Sequence, residues 1–289
     1  MRLLLEPIGI FVAVGIGVWL LSFLVEALRS APEAPKTLSW APAIPIAYVE
    51  VDRMKLRYIR AGRGPNLVLL HTLRTQLDLF QVIPRLTERF TVYALDYPGH
   101  GFSDIPKAPY DAGYFVQSVQ GFLDKLDVRD VTLCGVSIGA AIALILAGRG
   151  NTRITGVVAI NPYDYAKGRS LARSSPLGWM IVMTSRIPVV GETVMRLRNF
   201  MIMKAVLRGG VANPESIPPD LLKEMYEVGN RPGHYRAFIS LLGNAESWES
   251  ATQIYGGIRV PVTLVGEIRT GRRRRSAKTI TAWQDLQGR

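Results

Sequence analysis

Five runs of the chain are apolar without interruption. They read NLVLL (66–70), TVYAL (91–95), VTLC (131–134), TGVVAI (155–160) and VPVTLV (260–265). Uniformly apolar strands are typical of a parallel sheet that helices cover on both faces. Helical patterns, such as those of residues 114–126 and 138–147, lie between the runs. Strand alternating with helix predicts an open, mostly parallel α/β sheet with right-handed crossovers.

Two earlier segments differ, because their apolar and polar positions alternate. They are AYVEV (47–51) and KLRYI (55–59), a pattern that predicts antiparallel strands near an exposed edge of the sheet. The segment 30–46 contains several prolines and predicts an extended linker. The first part of the α/β core is therefore expected over residues 47–164.

A long insertion separates the strand that ends at Ile160 from the strand at 260–265. It is too long for a single crossover, so residues 165–250 are expected to fold as a helical cap, and residues 251–265 to return to the core. The methionine-rich stretch 178–208 has two interpretations. In the first interpretation, the stretch packs the core of the cap and exposes a solvated basic face. In the second, it forms an adaptable apolar lid over the substrate, and its arginines face anionic lipid.

The first 29 residues predict a transmembrane anchor. Residues 7–25 contain no charge, and a helix rising about 1.5 Å per residue would cross a bilayer core of about 30 Å over that length. A cleaved signal peptide is the competing interpretation, but its apolar region is normally shorter and follows more positive charge. We therefore predict a single-pass membrane protein; the flanking charges do not indicate its orientation.

The net charge of +12 comes from two segments of the chain. Residues 165–213 hold eight Lys or Arg against Glu192 alone, a net +7, and residues 266–289 supply the other +5. This distribution, with no aromatics interleaved in the RRRR run, argues against a nucleic-acid partner. The single cysteine, Cys134, excludes a disulfide framework within the chain. The composition does not indicate an oligomeric state.

A serine between two glycines carries the candidate chemistry. Gly135, Ser137 and Gly139 form G-x-S-x-G where an apolar strand gives way to an alanine-rich helix. In that context the glycines allow a sharp turn that exposes the serine hydroxyl, so Ser137 is the candidate nucleophile. The N–H group of Ile138, at the positive end of the helix, is a natural oxyanion donor. We predict that Ser137 faces a cavity under the cap.

Over about residues 47–265 the chain resembles the α/β-hydrolase superfamily, in particular its cap-bearing branch. The motifs that carry the resemblance are LDYPGHGFSD (95–104) and CGVSIGAA (134–141). The resemblance implies that Ser137 is the nucleophile and that the N–H groups of Leu73 and Ile138 form the oxyanion hole. It also implies that the substrate is an apolar ester-like small molecule. A serine at this position resembles esterases, lipases, haloperoxidase-like enzymes and carbon–carbon bond hydrolases, and not dehalogenases or epoxide hydrolases. Thr72 stands where the family usually has glycine.

The base and acid that the resemblance implies are not found where expected. The family's histidine follows one more strand, but the three histidines here are His71, His100 and His234. The first two are expected to hold loops. His234, in the cap, is a remote candidate base. Asp164 and Glu267 are the candidate acids.

The composition changes abruptly at Gly266, where residues 266–289 read as a basic tail outside the family pattern, with the last strand and helix missing. In a shifted reading frame, residues 268–271 can encode Thr-Asp-Trp, which would restore the expected aspartate. A solvated basic tail is the alternative.

Two functions remain open at this point: a membrane-anchored serine hydrolase that is inactive in this form, and a pseudo-hydrolase that binds lipid or a partner. We predict no cofactor and no metal ion. The omitted strand also predicts an uncovered sheet edge and marginal stability.

Overall fold

The computed structural model describes residues 2–73, 75–163, 176–185, 187–209, 215, 217–270 and 273–280. The chain divides into two units. The helical unit comprises Met1–Pro32 and Leu171–Gly243, and the sheet unit comprises Glu33–Ser170 and Asn244–Arg289. The predicted α/β fold, a mostly parallel sheet flanked by helices, is confirmed by the strands and helices described below.

The strands of the sheet unit, as far as the structure describes it, are β1 Thr37–Leu38, β2 Ala41–Val51, β3 Met54–Ala61, β4 Asn66–Leu70, β5 Thr91–Leu95, β6 Val131–Val136, β7 Ile154–Ile160, β8 Val262–Thr270 and β9 Arg273–Ile280. They form one sheet in the order β1-β2-β3-β5-β4-β6-β7-β8-β9. Strands β5, β4, β6, β7 and β8 run parallel, and antiparallel strands flank them on both sides. The uniformly apolar runs thus occupy the centre of the sheet, as their pattern predicts.

The α-helices of the described residues, in chain order, are α1 Arg2–Ala27, α2 Ile83–Leu86, α3 Ala112–Lys125, α4 Ile138–Gly148, α5 Pro176–Ser185, α6 Val190–Arg196, α7 Phe200–Gly209, α8 Pro219–Val228, α9 His234–Gly243 and α10 Ala245–Ala251. Helix α3 begins where the Asp111 carboxylate accepts a hydrogen bond from the Tyr114 N–H at 2.7 Å. Such a cap satisfies one of the free N–H groups of the first turn. Helix α4 is apolar on all sides and buried from Ile138 to Ala147.

The prediction of a linker over 30–46 is wrong for its second half. Residues 37–46 include β1 and the start of β2, and Leu38, Ala41 and Ile44 are buried in the core. Proline fixes an extended backbone that suits a strand near a sheet edge as well as a linker. The proline content of the segment therefore did not distinguish a linker from a strand near the sheet edge.

The cap is also shorter than predicted, because α10 belongs to the sheet unit. The Ser247 hydroxyl accepts a hydrogen bond from the Ala112 N–H at 3.0 Å, and Trp248 packs against Phe115 and Tyr163. Trp248 is completely buried. This aromatic contact fixes α10 on the helix α3 side of the sheet unit.

The tail after Val265 forms a strand that the sequence did not predict. Strand β8 continues to Thr270, and β9 pairs with it antiparallel, with Val265 opposite Thr279. Main-chain hydrogen bonds between strands do not require apolar side chains, so a basic segment can pair with an open edge. The expectation that this edge stays uncovered is therefore wrong.

Candidate active site

Ser137 forms the turn between β6 and α4. Its backbone has φ +55° and ψ −113°, a conformation that non-glycine residues seldom adopt. Its N–H donates to the Ile160 carbonyl at 2.9 Å, and its own carbonyl accepts from the N–H groups of Ala141 and Tyr163, both at 3.1 Å. These bonds tie the turn to the neighbouring strand and to the helix. The strained conformation is thereby held, and Ser137 remains only partly buried.

The two glycines of the motif are required by close packing of the backbone. A Cβ atom on Gly135 would lie 2.2 Å from the Gly139 carbonyl group, and one on Gly139 would lie 2.2 Å from the Leu70 oxygen. Because the opposing atoms are main-chain atoms, no side-chain movement relieves these clashes. Absence of a side chain at both positions lets α4 start directly against strand β4.

The N-terminus of α4 presents N–H groups at this turn. The first N–H groups of a helix have no carbonyl within the helix to bind, and they carry partial positive charge. The Ser137 side chain makes no capping hydrogen bond to them. The Ile138 N–H is the first of these groups, and the Ile138 side chain is fully buried, which fixes the backbone in place.

Leu73 lies in the loop that follows β4. Strands β4 and β6 are parallel neighbours, with Leu70 opposite Gly135, so their carboxyl ends meet at one edge of the sheet. The loop of Leu73 and the turn of Ser137 both leave from that edge. Ligands of open α/β sheets bind at such an edge. This topology brings together the predicted nucleophile and the two predicted oxyanion donors.

His71 holds the Leu73 loop. Its Nδ1 lies 2.8 Å from the Thr72 carbonyl oxygen, and its Nε2 accepts a hydrogen bond from the Tyr97 N–H at 3.4 Å. Complete burial lowers the pKa of His71 to about 4, so the imidazole is neutral at physiological pH. Thr75 donates its hydroxyl to the same Thr72 carbonyl at 2.8 Å. Thr72, in place of the expected glycine, is thus bound through its main chain.

His100 is also held within the loop after β5. Its Nδ1 lies 3.2 Å from the Pro98 oxygen, and its ring packs edge-on against Tyr97 and Phe115. In the part of the chain that the structure describes, no hydrogen bond joins the Ser137 hydroxyl to His71 or His100. These two residues hold loops, and neither is placed by a hydrogen bond to act as the base for Ser137.

A buried ion cluster, which the sequence reasoning missed, supports the same loops. Arg57 donates to the Asp78 carboxylate at 2.7 and 3.2 Å and to Asp96 at 3.2 Å. Asp96 also accepts hydrogen bonds from the N–H groups of Leu77 at 2.7 Å and Phe102 at 2.9 Å. Arg57 and Asp96 are 0% exposed. The available signals were an arginine inside strand β3 and the aspartate of LDYPGHGFSD.

The remaining candidates lie in three different places: one in the helical unit, one outside the described residues and one within β8. His234 is buried at the start of α9, in the helical unit. Asp164 lies outside the described residues. Glu267 falls within β8 and not in a loop after it.

The candidate site lies within a segment of the chain that matches a known family model. The family model of the α/β hydrolase fold matches residues 65–182, which include the Leu73 loop and the Ser137 turn. A 2-(acetamidomethylene)succinate hydrolase from Mesorhizobium japonicum is 30% identical over 185 residues, 64% of this chain and 61% of that protein. The chain matches less than two thirds of the length of the first curated relatives, 61% and 44%.

Solved structures agree on the fold. Wild-type Cfl2 from Burkholderia cenocepacia has a TM-score of 0.69 at 20% identity, over 81% of this chain and 83% of that one. An enol-lactonase from Burkholderia xenovorans has a TM-score of 0.55 at 25% identity, over 75% and 80%. Haloalkane dehalogenases and epoxide hydrolases are also among the similar proteins. The strand order, the family match and these relatives together show that the chain has the α/β-hydrolase fold.

Proposed function

We propose that this protein is a membrane-anchored serine hydrolase by descent, whose substrate is an ester or related acyl bond in an apolar small molecule. The observation that carries the proposal is the strained Ser137 turn at the N-terminus of α4. Attack of the Ser137 hydroxyl on a carbonyl carbon would form a tetrahedral oxyanion. The N–H groups of Ile138 and Leu73 are our proposed donors to that oxyanion.

The serine favours acyl chemistry over the reactions named for some relatives. A serine that displaced a halide from saturated carbon would leave an alkyl ether, which water does not readily hydrolyse. A serine ester formed from an acyl group is hydrolysed by water, which completes the cycle. The enol-lactonase among the similar structures is named for the opening of a cyclic ester, which agrees with this assignment.

We further propose that the triad acid and histidine are absent from this chain, so its turnover is low. His71 and His100 are bound within loops, which leaves His234 as the candidate base and Asp164 or Glu267 as candidate acids. Loss of a triad member costs about 10⁴–10⁶ in turnover and leaves only oxyanion and binding effects.

The test is hydrolysis of a short-chain aryl ester by the full chain in detergent. Three variants accompany it: Ser137→Ala, His234→Gln, and a chain whose reading frame is restored after Val265. We expect Ser137-dependent turnover in the restored chain, at least 10⁴-fold above the present chain. Equal turnover of the two, lost in Ser137→Ala and in His234→Gln, would show that His234 is the base.

The alternative function is a catalytically inactive module that binds lipid or a partner. The engagement of His71 and His100 in loop hydrogen bonds favours it. Under this alternative the restored chain is also inactive, while an apolar fluorescent ester binds equally well to the wild type and to Ser137→Ala.

Membrane anchoring is proposed from α1. Residues Gly9–Ala27 are long and apolar enough to cross a bilayer, and they are mostly exposed. A signal sequence passes the same test. We expect the full chain to stay with membranes after extraction at alkaline pH. Release into the soluble fraction would contradict the anchor.

A further inference from the structure

The last two turns of α1 are bound to the cap by a set of charged and polar side chains, here called the anchor–cap cluster: Ser22, Glu26, Arg29, Arg196 and Arg198. Arg198 donates to Glu26 at 2.7 Å, and Arg196 donates through Nε to the Ser22 hydroxyl at 2.9 Å. Arg29 donates to the carbonyl oxygens of both cap arginines. Helix α1 is thus a fixed part of the helical unit and not a free tether.

The cluster sets the level of helix α6 along α1. Ser22 lies about 8 Å before Ala27, the end of the apolar span, at a rise of about 1.5 Å per residue. Arg196 closes α6, binds Ser22, and stacks its guanidinium 3.9 Å from the centre of the Phe23 ring. If α1 spans a bilayer, the end of α6 therefore lies within the outer part of the hydrocarbon layer.

The charges of the cluster are compatible with that depth. Arg196 is 1% exposed and pairs with Glu192 at 2.7 Å. Arg198 pairs with Glu26, which also binds Arg29 at 3.0 Å. Paired and hydrogen-bonded arginines are tolerated near a membrane interface far better than isolated ones.

Apolar side chains are exposed on α6 and on the turn before it. Ile187, Val189, Val190 and Val194 are 51%, 57%, 42% and 36% exposed. Val190 and Val194 are four residues apart and so share one face of α6. By contrast, the exposed positions of α8 are charged, for example Asp220 and Lys223. Water is a poor environment for a cluster of branched apolar side chains, whereas the boundary between headgroups and acyl chains accommodates it.

We propose that α6 and the turn before it lie in the interface of the bilayer leaflet at the C-terminal end of α1, so that the cap is itself a membrane-binding element. The inference rests on the proposed function in one respect, the membrane anchoring of α1. The partner of the exposed apolar face of α6 is a lipid surface, because the anchor–cap cluster holds this face beside a helix that is long enough to span the bilayer.

The experiment places one environment-sensitive fluorophore per protein, on cysteine, in a Cys134→Ala background of the full chain. The labelled positions are Ile187→Cys, Val190→Cys, Lys223→Cys and Val14→Cys. Each protein is reconstituted into phosphatidylcholine–phosphatidylglycerol vesicles with brominated acyl chains, which quench only a label in contact with lipid. Lys223, whose side chain is 70% exposed, is the matched control on a polar helix of the same unit.

We expect the labels at 14, 187 and 190 to lose most of their emission to brominated lipid and the label at 223 to keep its emission. Aqueous iodide should give the reverse order, which provides a second measurement on the same proteins. Quenching at 14 without quenching at 187 and 190 would overturn the inference and leave the anchor intact. Failure at 14 would refute the anchor itself, and with it the inference. Equal lipid quenching of the labels at 223 and 190 would also overturn the inference, because the apolar face of α6 would then contact lipid no more than the polar face of α8 does.

Discussion

Two groups of buried arginines hold this molecule together, and they do so in different ways. In the sheet unit, Arg57 binds Asp78 and Asp96, with the arginine and Asp96 completely excluded from solvent. In the helical unit, Arg196 and Arg198 bind Glu192 and Glu26, whose side chains are 46% and 17% exposed. The first group is sealed within the fold, whereas the second retains access to its surroundings through its carboxylates.

The difference shows what each cluster is built to do. Arg57 lies on β3 and binds the loops that precede and follow β5; the loop before β5 also contains Leu73. A fully desolvated pair fixes geometry and tolerates no loss of a partner. The anchor–cap cluster joins segments more than 160 residues apart in the chain, and its carboxylates keep some access to solvent or lipid headgroups. We interpret the first as a support of the active-site loops and the second as a joint.

The largest effect is expected from Arg57→Met. The substitution leaves the Asp78 and Asp96 carboxylates buried without a cation, which costs about 3–5 kcal/mol of the free energy of unfolding. Denaturant unfolding of the wild type and the variant in detergent measures this loss. The control is Arg153→Met, since Arg153 pairs with Asp124 and Asp127 at the surface, where solvent screens such pairs and they contribute little to stability. Similar losses in the two variants would remove the distinction between sealed and open clusters.

A second effect, of about 3 kcal/mol, concerns the pH dependence contributed by His71. Its folded pKa of about 4 lies below the unfolded value of 6.5, so the unfolded chain takes up the proton first as the pH falls. The stability that this residue contributes is complete above pH 6.5 and is lost progressively toward pH 4. Unfolding free energies of the wild type and His71→Gln, measured from pH 7.5 to 4, should therefore converge at low pH. Parallel curves would show that burial does not hold the imidazole neutral.

The smallest effect is expected from Arg198→Met, because Glu26 keeps its bond to Arg29 and is partly exposed. A loss of about 1–3 kcal/mol, confined to the helical unit, corresponds to roughly a 5- to 150-fold rise in amide exchange in α6 and α8. Strands β4 to β6 should exchange as before. Arg208→Met is the control, since its partner Glu215 is 77% exposed. Faster exchange in the strands as well would mean that the two clusters belong to one cooperative unit.

The position of the candidate site could be predicted from the sequence because its determinants are local. The run NLVLL gave the bounds of β4 and TVYAL those of β5, since a strand buried on both faces is apolar throughout. The turn at Ser137 follows from two glycines whose side-chain positions the neighbouring backbone occupies. The strand bounds and the contact of Gly135 with Gly139 are decided within a few residues, whereas the contact of Gly139 with Leu70 also requires that α4 pack against β4.

Other features depended on partners distant in sequence, and there the sequence was ambiguous or misleading. The Pro-rich segment 37–46 was predicted as a linker and forms strands, because β1 pairs with the start of β2, and β2 continues from Ile46 as the antiparallel partner of β3. Residues 273–280 pair with β8 although their composition is basic, since main-chain bonding ignores composition.

The sequence by itself determined the α/β alternation, the Ser137 turn and the apolar character of α1, because periodicity and backbone sterics act over short distances. Only the tertiary structure decided which carboxylates meet Arg57, and that Ser22 and Glu26 of α1 bind Arg196 and Arg198 of the cap. A buried charge needs a partner, but the sequence does not say which one. The partner is decided by the tertiary fold, which brings donor and acceptor atoms from distant segments within about 3 Å of each other.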